Sequence, residues 1–231
     1  WTSSFNIAWN KNKVTRLAEG ADTTTGNIGT AGDVQKHQEG FPAFSFWVYE
    51  QVYNADGNPL EGVFVDRNGD GEITPDDRYL YHSKDPAVTL NWQNTVSWKN
   101  WDFGISLRGS FGNWMYNKNE VDNCFASVTA VPPLSNLLDN TYIWQSTKTD
   151  AMQLSDYFVR NASFLRCDNI TVGYTWKELL NNALRLRLYG AVQNPFVITK
   201  YKGVDPEVFS GIDSSVYPRP ITFSLGVVAT F

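Results

Sequence analysis

Cysteine is scarce in this chain of 231 residues, which contains only Cys124 and Cys167. Two cysteines cannot form a disulfide framework, and this pair does not have the spacing of a zinc site. An excess of basic residues is also missing, since the formal net charge is −5. That charge argues against a nucleic-acid-binding protein, which needs a basic surface. No apolar run in the sequence approaches the roughly 18 to 20 residues that a membrane-spanning helix requires.

Aromatic residues, by contrast, are abundant: Phe, Trp and Tyr make up 15% of the chain, whereas charged residues make up only 19%. Disordered chains have the opposite composition, so we expect a folded protein. The chain begins with Trp1 rather than Met, and we expect a mature or truncated piece of a longer protein. The sequence lacks the common motifs of nucleophilic, phosphate-binding and zinc-dependent catalysis, and we therefore expect no enzymatic activity.

Apolar and polar residues alternate in six segments, and each alternation indicates a strand with one apolar and one polar face. The segments are about ten residues long, which suits a tilted strand that crosses a bilayer. Their apolar rows often end in aromatic residues, as the strands of membrane barrels do. A soluble β-sandwich is the alternative, although its strands are usually about five or six residues long. The apolar rows are Trp1, Phe5, Ile7 and Trp9; Leu90, Trp92, Val96 and Trp98; Phe103, Ile105, Leu107 and Phe111; Ile170, Val172, Tyr174 and Trp176; Leu184, Leu186, Leu188 and Val192; and Phe223, Leu225, Val227, Ala229 and Phe231.

Short and long connections alternate between the six segments. The connections around Asn100 and over residues 177–183 are short, whereas residues 11–86, 112–163 and 195–218 form long loops. Outer-membrane barrels have short periplasmic turns and long extracellular loops. We therefore predict an all-β chain, with six antiparallel transmembrane strands and three long extracellular loops.

The strand-like run 44–53 does not fit this alternation as a seventh transmembrane strand. A lone spanning strand at this position would invert every strand that follows it in the sequence. We therefore place residues 44–53 in an extracellular hairpin, in which residues 63–65 could be their partner.

The segment 66–77 has the spacing of an EF-hand calcium loop. Calcium takes about six to eight oxygen ligands, which side chains and one backbone carbonyl of this segment would supply. A glycine stands at the sixth position, where the chain must turn, and the last position is Asp rather than the usual Glu. The alternative is an Asn-, Asp- and Gly-rich turn that its own side-chain hydrogen bonds hold. We expect a structural calcium site made by Asp66, Asn68, Asp70, Glu72 and Asp77.

Three further groups of residues suggest roles. Arg185 and Arg187 fall on the polar face of their strand, where they could face a solute in the lumen of a barrel. Asp205 and Glu207 could act as paired carboxylates, but the proline between them favours a structural turn. The two cysteines are expected to be free thiols.

A series of motifs resembles the late region of SusC/RagA-type TonB-dependent transporters, in the same order and at the same spacing over nearly the whole chain. The motifs are residues 39–42, 65–74, 157–166, 168–174, 193–196, 199–201, 203–207 and 217–220, and the terminal Phe231. The resemblance implies that residues 1–231 form a C-terminal segment of a plugged barrel, which in such transporters has about 22 strands. Phe231 resembles the terminal aromatic signal that barrel-assembly machinery recognises. The plug and most of the barrel strands would lie outside this chain.

The resemblance also implies a function, namely the active import of a glycan or peptide across the outer membrane of a Bacteroidetes-type bacterium. The expected partners are the rest of the chain's own barrel and plug, the lipid bilayer, TonB and a SusD-like surface lipoprotein, commonly in a dimer of transporter–lipoprotein pairs. Two alternatives are a soluble calcium-stabilised β-domain that binds carbohydrate and a small passive outer-membrane pore.

Overall fold

The computed structural model describes residues 1–21, 23–125, 138, 143–179, 184–214 and 217–231. These residues form mainly antiparallel strands, with two short α-helices and the 3₁₀ turns Pro75–Asp77 and Asp156–Phe158. Within them, no helix has both the length and the apolar content needed to cross a membrane. The strands are β1 (Thr2–Trp9), β2 (Thr24–Asn27), β3 (Asp33–Lys36), β4 (Ser45–Val48), β5 (Gln51–Tyr53), β6 (Pro59–Phe64), β7 (Tyr79–Ser83), β8 (Val88–Trp98), β9 (Trp101–Phe111), β10 (Trp114–Tyr116), β11 (Val159–Asn161), β12 (Phe164–Leu179), β13 (Leu184–Thr199) and β14 (Thr222–Thr230), and the helices are α1 (Lys118–Asn123) and α2 (Asp150–Gln153).

The six alternating segments form one antiparallel sheet in the order β1–β8–β9–β12–β13–β14. This order is the predicted up-and-down arrangement, because each strand pairs with the next one of the six along the chain. A tight turn joins β8 to β9, and Lys99 in this turn has a positive φ of 55°. The other predicted short turn, residues 177–183, lies partly outside the described residues. Over the described residues the sheet is open, with β1 and β14 as its edges.

The register of this sheet brings the apolar rows of neighbouring strands together on one face. Phe5 in β1 pairs with Trp92 in β8, which in turn pairs with Leu107 in β9. Trp98 pairs with Trp101 beside the tight turn, so aromatic residues border the row at this end. Most of these large side chains remain exposed to solvent. The opposite face carries mainly hydroxyl, amide and charged side chains.

The long loops are folded rather than extended. We use the name loop layer for the described residues of 10–87, 112–163 and 200–221. The loop layer contains a four-stranded sheet in the order β2–β3–β4–β7 and the two-stranded pairs β5–β6 and β10–β11. Its hydrophobic core consists of Ile28, Val34, Phe46, Val48, Tyr49, Phe64, Tyr116, Val121, Cys124, Phe125, Trp144, Met152, Leu154, Phe158, Val159 and Ile212. All three predicted loops therefore contribute to one buried core.

The run 44–53 is divided between two sheets, so the prediction of one hairpin strand is only half right. β5 pairs with β6, and Gln51 lies opposite Phe64, as expected for the second half of the run. The first half forms β4, which pairs with β3 and β7 instead. The break occurs at Tyr49, whose N–H donates to the carbonyl oxygen of Leu154 at 2.8 Å. This contact draws the chain toward the middle loop and ends the first strand.

Candidate functional site

An ion pair lies across the polar face of the six-stranded sheet. Arg187 in β13 reaches over β12 to Asp102 in β9, with an Nε–Oδ1 distance of 3.0 Å and an Nη2–Oδ2 distance of 2.5 Å. Gly173 lies beneath this pair, and a Cβ atom there would come within 2.5 Å of the Asp102 carboxylate. The glycine therefore makes room for a bidentate contact, the strong form of an arginine–carboxylate pair. Arg185, two residues earlier, is exposed.

A second group of charges joins the sheet to the last long loop. Arg108 in β9 contacts Asp168 in β12, with an Nε–Oδ2 distance of 3.1 Å, and also contacts Glu207 in the loop layer. Asp168 is the extra residue of a β-bulge between β12 and β9. The bulge turns this carboxylate toward the arginine, as bulges often re-aim a side chain.

The same group of charges contains a buried ion pair. Arg166 in β12 and Arg219 each lie 2.7 Å from a carboxylate oxygen of Asp205. The Arg166 and Asp205 side chains are only 5% and 4% exposed. Asp205 also accepts a hydrogen bond from the Glu207 N–H at 3.0 Å. These contacts agree with the structural turn predicted for Asp205 and Glu207, and they fix the turn to the wall formed by the sheet.

Side chains within the 66–77 loop close it by hydrogen bonds. The Gly71 N–H donates to Asp66 at 2.9 Å, and Gly71 has the positive φ of 86° that a sharp turn at this position requires. The Glu72 N–H donates to Asp70 at 2.8 Å, and the Asn68 amide donates to Asp70 at 2.9 Å. The predicted ligands are thus near one another. The contacts that hold them are the side-chain hydrogen bonds expected for an Asn-, Asp- and Gly-rich turn.

Asp77 closes the loop from its far end and is fully buried. Its carboxylate accepts hydrogen bonds from the N–H groups of Thr74 and Arg67, both at 2.8 Å. The N–H of Thr74, followed by those of Arg67 and Asn68, holds the pKa of the Asp77 carboxyl below its usual value, and a contact with the Asp66 carboxyl acts in the same direction. Within the described residues, no group of three or more His, Cys, Asp or Glu side chains is arranged to hold a metal ion.

The remaining predicted residues lie apart from this loop. Phe231 follows the end of β14 and is 95% exposed. Cys124 and Cys167 are both free and buried, the first in the loop layer and the second in β12.

Comparison with known proteins shows extensive similarity, although no protein-family model matches the chain. Over its whole length the chain is 42% identical to the TonB-dependent receptor SusC of Bacteroides thetaiotaomicron, in an alignment of 251 residues. It is 26% identical to the TonB-dependent receptor P3 of Formosa agariphila, again over its whole length. The chain is SusC/RagA-like. This SusC/RagA-like chain spans about a quarter of the length of these relatives, namely 24% of SusC and 27% of P3.

Solved structures give the same result for the fold. The RagAB peptide importer in its closed-closed state matches 99% of this SusC/RagA-like chain with a TM-score of 0.71 at 21% sequence identity, and the match covers 27% of the RagAB chain. The RagAB peptide transporter matches with a TM-score of 0.70 at 20% identity. The predicted fold, a segment of a transmembrane antiparallel β-barrel, is confirmed. The predicted total of about 22 strands stays a prediction.

Arg108, Arg166 and Arg219 were not singled out from the sequence. A signal for Arg108 is present, because this arginine interrupts a polar row that otherwise consists mainly of small residues. Their carboxylate partners in the last loop could not be chosen from spacing, since Arg166 and Asp205 are separated by 39 residues.

Proposed function

We propose that this chain contributes to an outer-membrane, TonB-dependent importer of an oligomeric nutrient, a glycan or a peptide. The observation that carries the proposal is the 42% identity to the TonB-dependent receptor SusC along the entire chain. The chain would supply barrel wall, outer loops and the closing strand, and it would do no chemistry on the nutrient.

The open six-stranded sheet supports a place within a larger barrel. β1 and β14 are edge strands over the described residues, and lipid cannot satisfy the backbone groups of an open edge. Both edges would pair with the rest of the same barrel, whose lumen would hold a plug. A small passive pore is less well supported, because closed outer-membrane barrels have at least about eight strands. The exposed apolar face also argues against a soluble carbohydrate-binding domain.

The proposed partners follow from the same similarity. TonB would drive import through a part of the receptor outside this chain, and a SusD-like lipoprotein would cover the loop layer. The match to the RagAB peptide importer supports such a pairing for this chain. Dimers of transporter–lipoprotein pairs in the outer membrane complete the proposal.

A structural calcium ion in the 66–77 loop is a second, separate part of the proposal. Oxygen-bearing side chains occupy the required positions, and the sixth residue has the required backbone conformation. Asp66, Asn68, Asp70 and Asp77 would bind the ion through side chains, and Glu72 through its carbonyl oxygen.

Uptake by cells that express the full-length receptor tests the import function. Candidate glycans and peptides would be offered to cells with and without functional TonB, and with and without the partner lipoprotein. We expect accumulation of the correct nutrient to be lost in cells that lack TonB. Accumulation that persists without TonB would contradict active import and favour a passive pore.

A further inference from the structure

A pocket lies where the three long loops meet. Its walls come from the β5–β6 hairpin, from the α1 region and β11, and from the residues that follow β13. The pocket has a volume of about 690 Å³, which is large enough for part of an oligomeric ligand. None of the described residues that line the pocket belongs to the six barrel strands, so its ligand preference depends on the loops.

Positive charge predominates in this pocket although the whole chain is negative. Arg160, Lys200 and Lys202 line it, whereas Glu120 is its one lining carboxylate among the described residues. Lys200 and Lys202 are exposed and make neither a hydrogen bond nor an ion pair in the part of the chain that the structure describes. Among the described residues, these two cations therefore have no counter-ion.

The third cation is only loosely engaged by protein groups. Arg160 Nη2 lies 3.5 Å from Glu120 Oε1, which is longer than a good charge-assisted hydrogen bond. Its guanidinium group lies over the ring of Tyr157, 4.0 Å from the centroid, and this contact fixes the plane of the group. The Glu120 carboxylate also accepts a hydrogen bond from the Asn117 amide at 3.2 Å, so it is not a dedicated partner of the arginine.

Uncharged donors lie beside these cations. Asn161 accepts a hydrogen bond from the Ser163 N–H through its side-chain oxygen at 2.9 Å, which leaves its amide NH₂ group available. Asn58, at the tip of the β5–β6 hairpin, also lines the pocket. Amide and ammonium donors around one concave surface suit an acceptor-only, negatively charged group.

We infer that this pocket binds a carboxylate group of the imported oligomer, an inference that rests on the proposed import function. Carboxylate is the acidic group that glycans and peptides share, as a uronate in the first and as an acidic side chain or chain end in the second. Lys200 and Lys202 bind the group, and Arg160 orients it.

Matched acidic and neutral probes test this inference on the purified full-length receptor. The first pair is a galacturonate hexamer and its methyl ester, and the second is a glutamate-containing hexapeptide and its glutamine counterpart. Dissociation constants would be measured for the wild type, for the double variant K200Q/K202Q and for the control K13Q. Lys13 is exposed and lies outside the pocket, so the control removes one positive charge elsewhere.

We expect one acidic probe to bind more tightly than its neutral counterpart and to lose about tenfold in affinity in the double variant, because two charge-assisted contacts are removed. K13Q should bind like the wild type, and added salt should weaken only the acidic probe. The pair that responds identifies the source of the carboxylate.

Two results would overturn the inference: equal affinity within both pairs, or an unchanged preference in the double variant. TonB-dependent uptake of a neutral probe by cells that express the full-length receptor separates the carboxylate pocket from the proposed import function. If that uptake is present without any preference for acidic probes, only the carboxylate pocket is wrong. If no probe of either pair enters in a TonB-dependent manner, the proposed function is contradicted as well.

Discussion

The six-stranded sheet and the loop layer differ in whether their apolar residues are exposed or buried. The sheet leaves its apolar face exposed, with Leu225 in β14 89% exposed, and turns polar side chains to the other face. The loop layer encloses its aromatic residues, and Phe125, Trp144 and Phe158 are all fully buried there. The proposed place in a barrel wall would account for this difference, since lipid would cover the sheet whereas the loop layer must cover itself.

The largest expected effect comes from removing one buried aromatic ring from the core of the loop layer. Phe158→Ala removes a ring that packs against Trp144 and Tyr157, and it should cost about 3–5 kcal/mol of stability. Leu225→Ala, the matched change on the sheet, should have a much smaller effect because its side chain packs against little protein. Hydrogen–deuterium exchange of the full-length receptor would measure both. Equal protection losses in the two variants would remove the distinction between the regions.

A smaller loss is expected where the two regions join. Asp205→Ala leaves the buried Arg166 without its closest partner and should cost about 3 kcal/mol. Glu50→Ala breaks an exposed ion pair with Arg67 within the loop layer, and this change should cost less than about 1 kcal/mol. Chemical unfolding of the full-length receptor compares the two. A cost for Asp205→Ala no greater than that for Glu50→Ala would mean that the buried pair does not fasten the loop to the wall.

The sheet offers a test with two glycines, Gly173 on its polar face and Gly190 on its apolar face. Gly173→Ala places a Cβ atom within 2.6 Å of both Asp102 and Arg187, and it should cost about 1–3 kcal/mol by overpacking. Gly190→Ala on the adjacent strand meets Leu225 at an ordinary 3.5 Å and should be nearly neutral. Thermal unfolding in detergent gives both values. Similar melting temperatures for the two variants would contradict the role of Gly173 in making room for the ion pair.

The smallest expected effect concerns calcium in the loop layer. Calcium at roughly five times its Kd should stabilise the 66–77 loop by about 1 kcal/mol. EGTA should therefore speed hydrogen exchange in this loop in the wild type and in Asp76→Ala, since Asp76 is not among the proposed ligands. Asp70→Ala should abolish the response to EGTA. A wild-type loop that exchanges at the same rate with calcium and with EGTA would refute the site.

The same contrast explains which parts of the fold could be predicted from the sequence. Alternation with a period of two persists over whole barrel strands, so it assigned Phe5, Trp92 and Leu225 to one face correctly. The strands of the loop layer are mostly three to six residues long, and distant contacts define them. The Gln51 N–H, for example, donates to Asp156 across 105 residues. No local sequence pattern predicts such a pairing.

A candidate site could likewise be predicted only where its residues lie close together in the sequence. The oxygen-bearing residues of the 66–77 loop could be recognised because their spacing lies within one short segment. The pocket with Arg160 and Lys200 could not, because its walls come together only when three loops fold on one another.

The orientation of the sheet in the bilayer is the most direct test of the central claim. Spin labels would be attached in the full-length receptor at Leu225→Cys on the apolar face and at Ser224→Cys on the polar face, while the native cysteines are buried. Accessibility to oxygen, which concentrates in lipid, would be compared with accessibility to a water-soluble nickel chelate. We predict that oxygen reaches the label at 225 far better than the chelate does, and that the label at 224 lacks this preference. A label at 225 that prefers the water-soluble reagent would contradict a lipid-facing barrel wall.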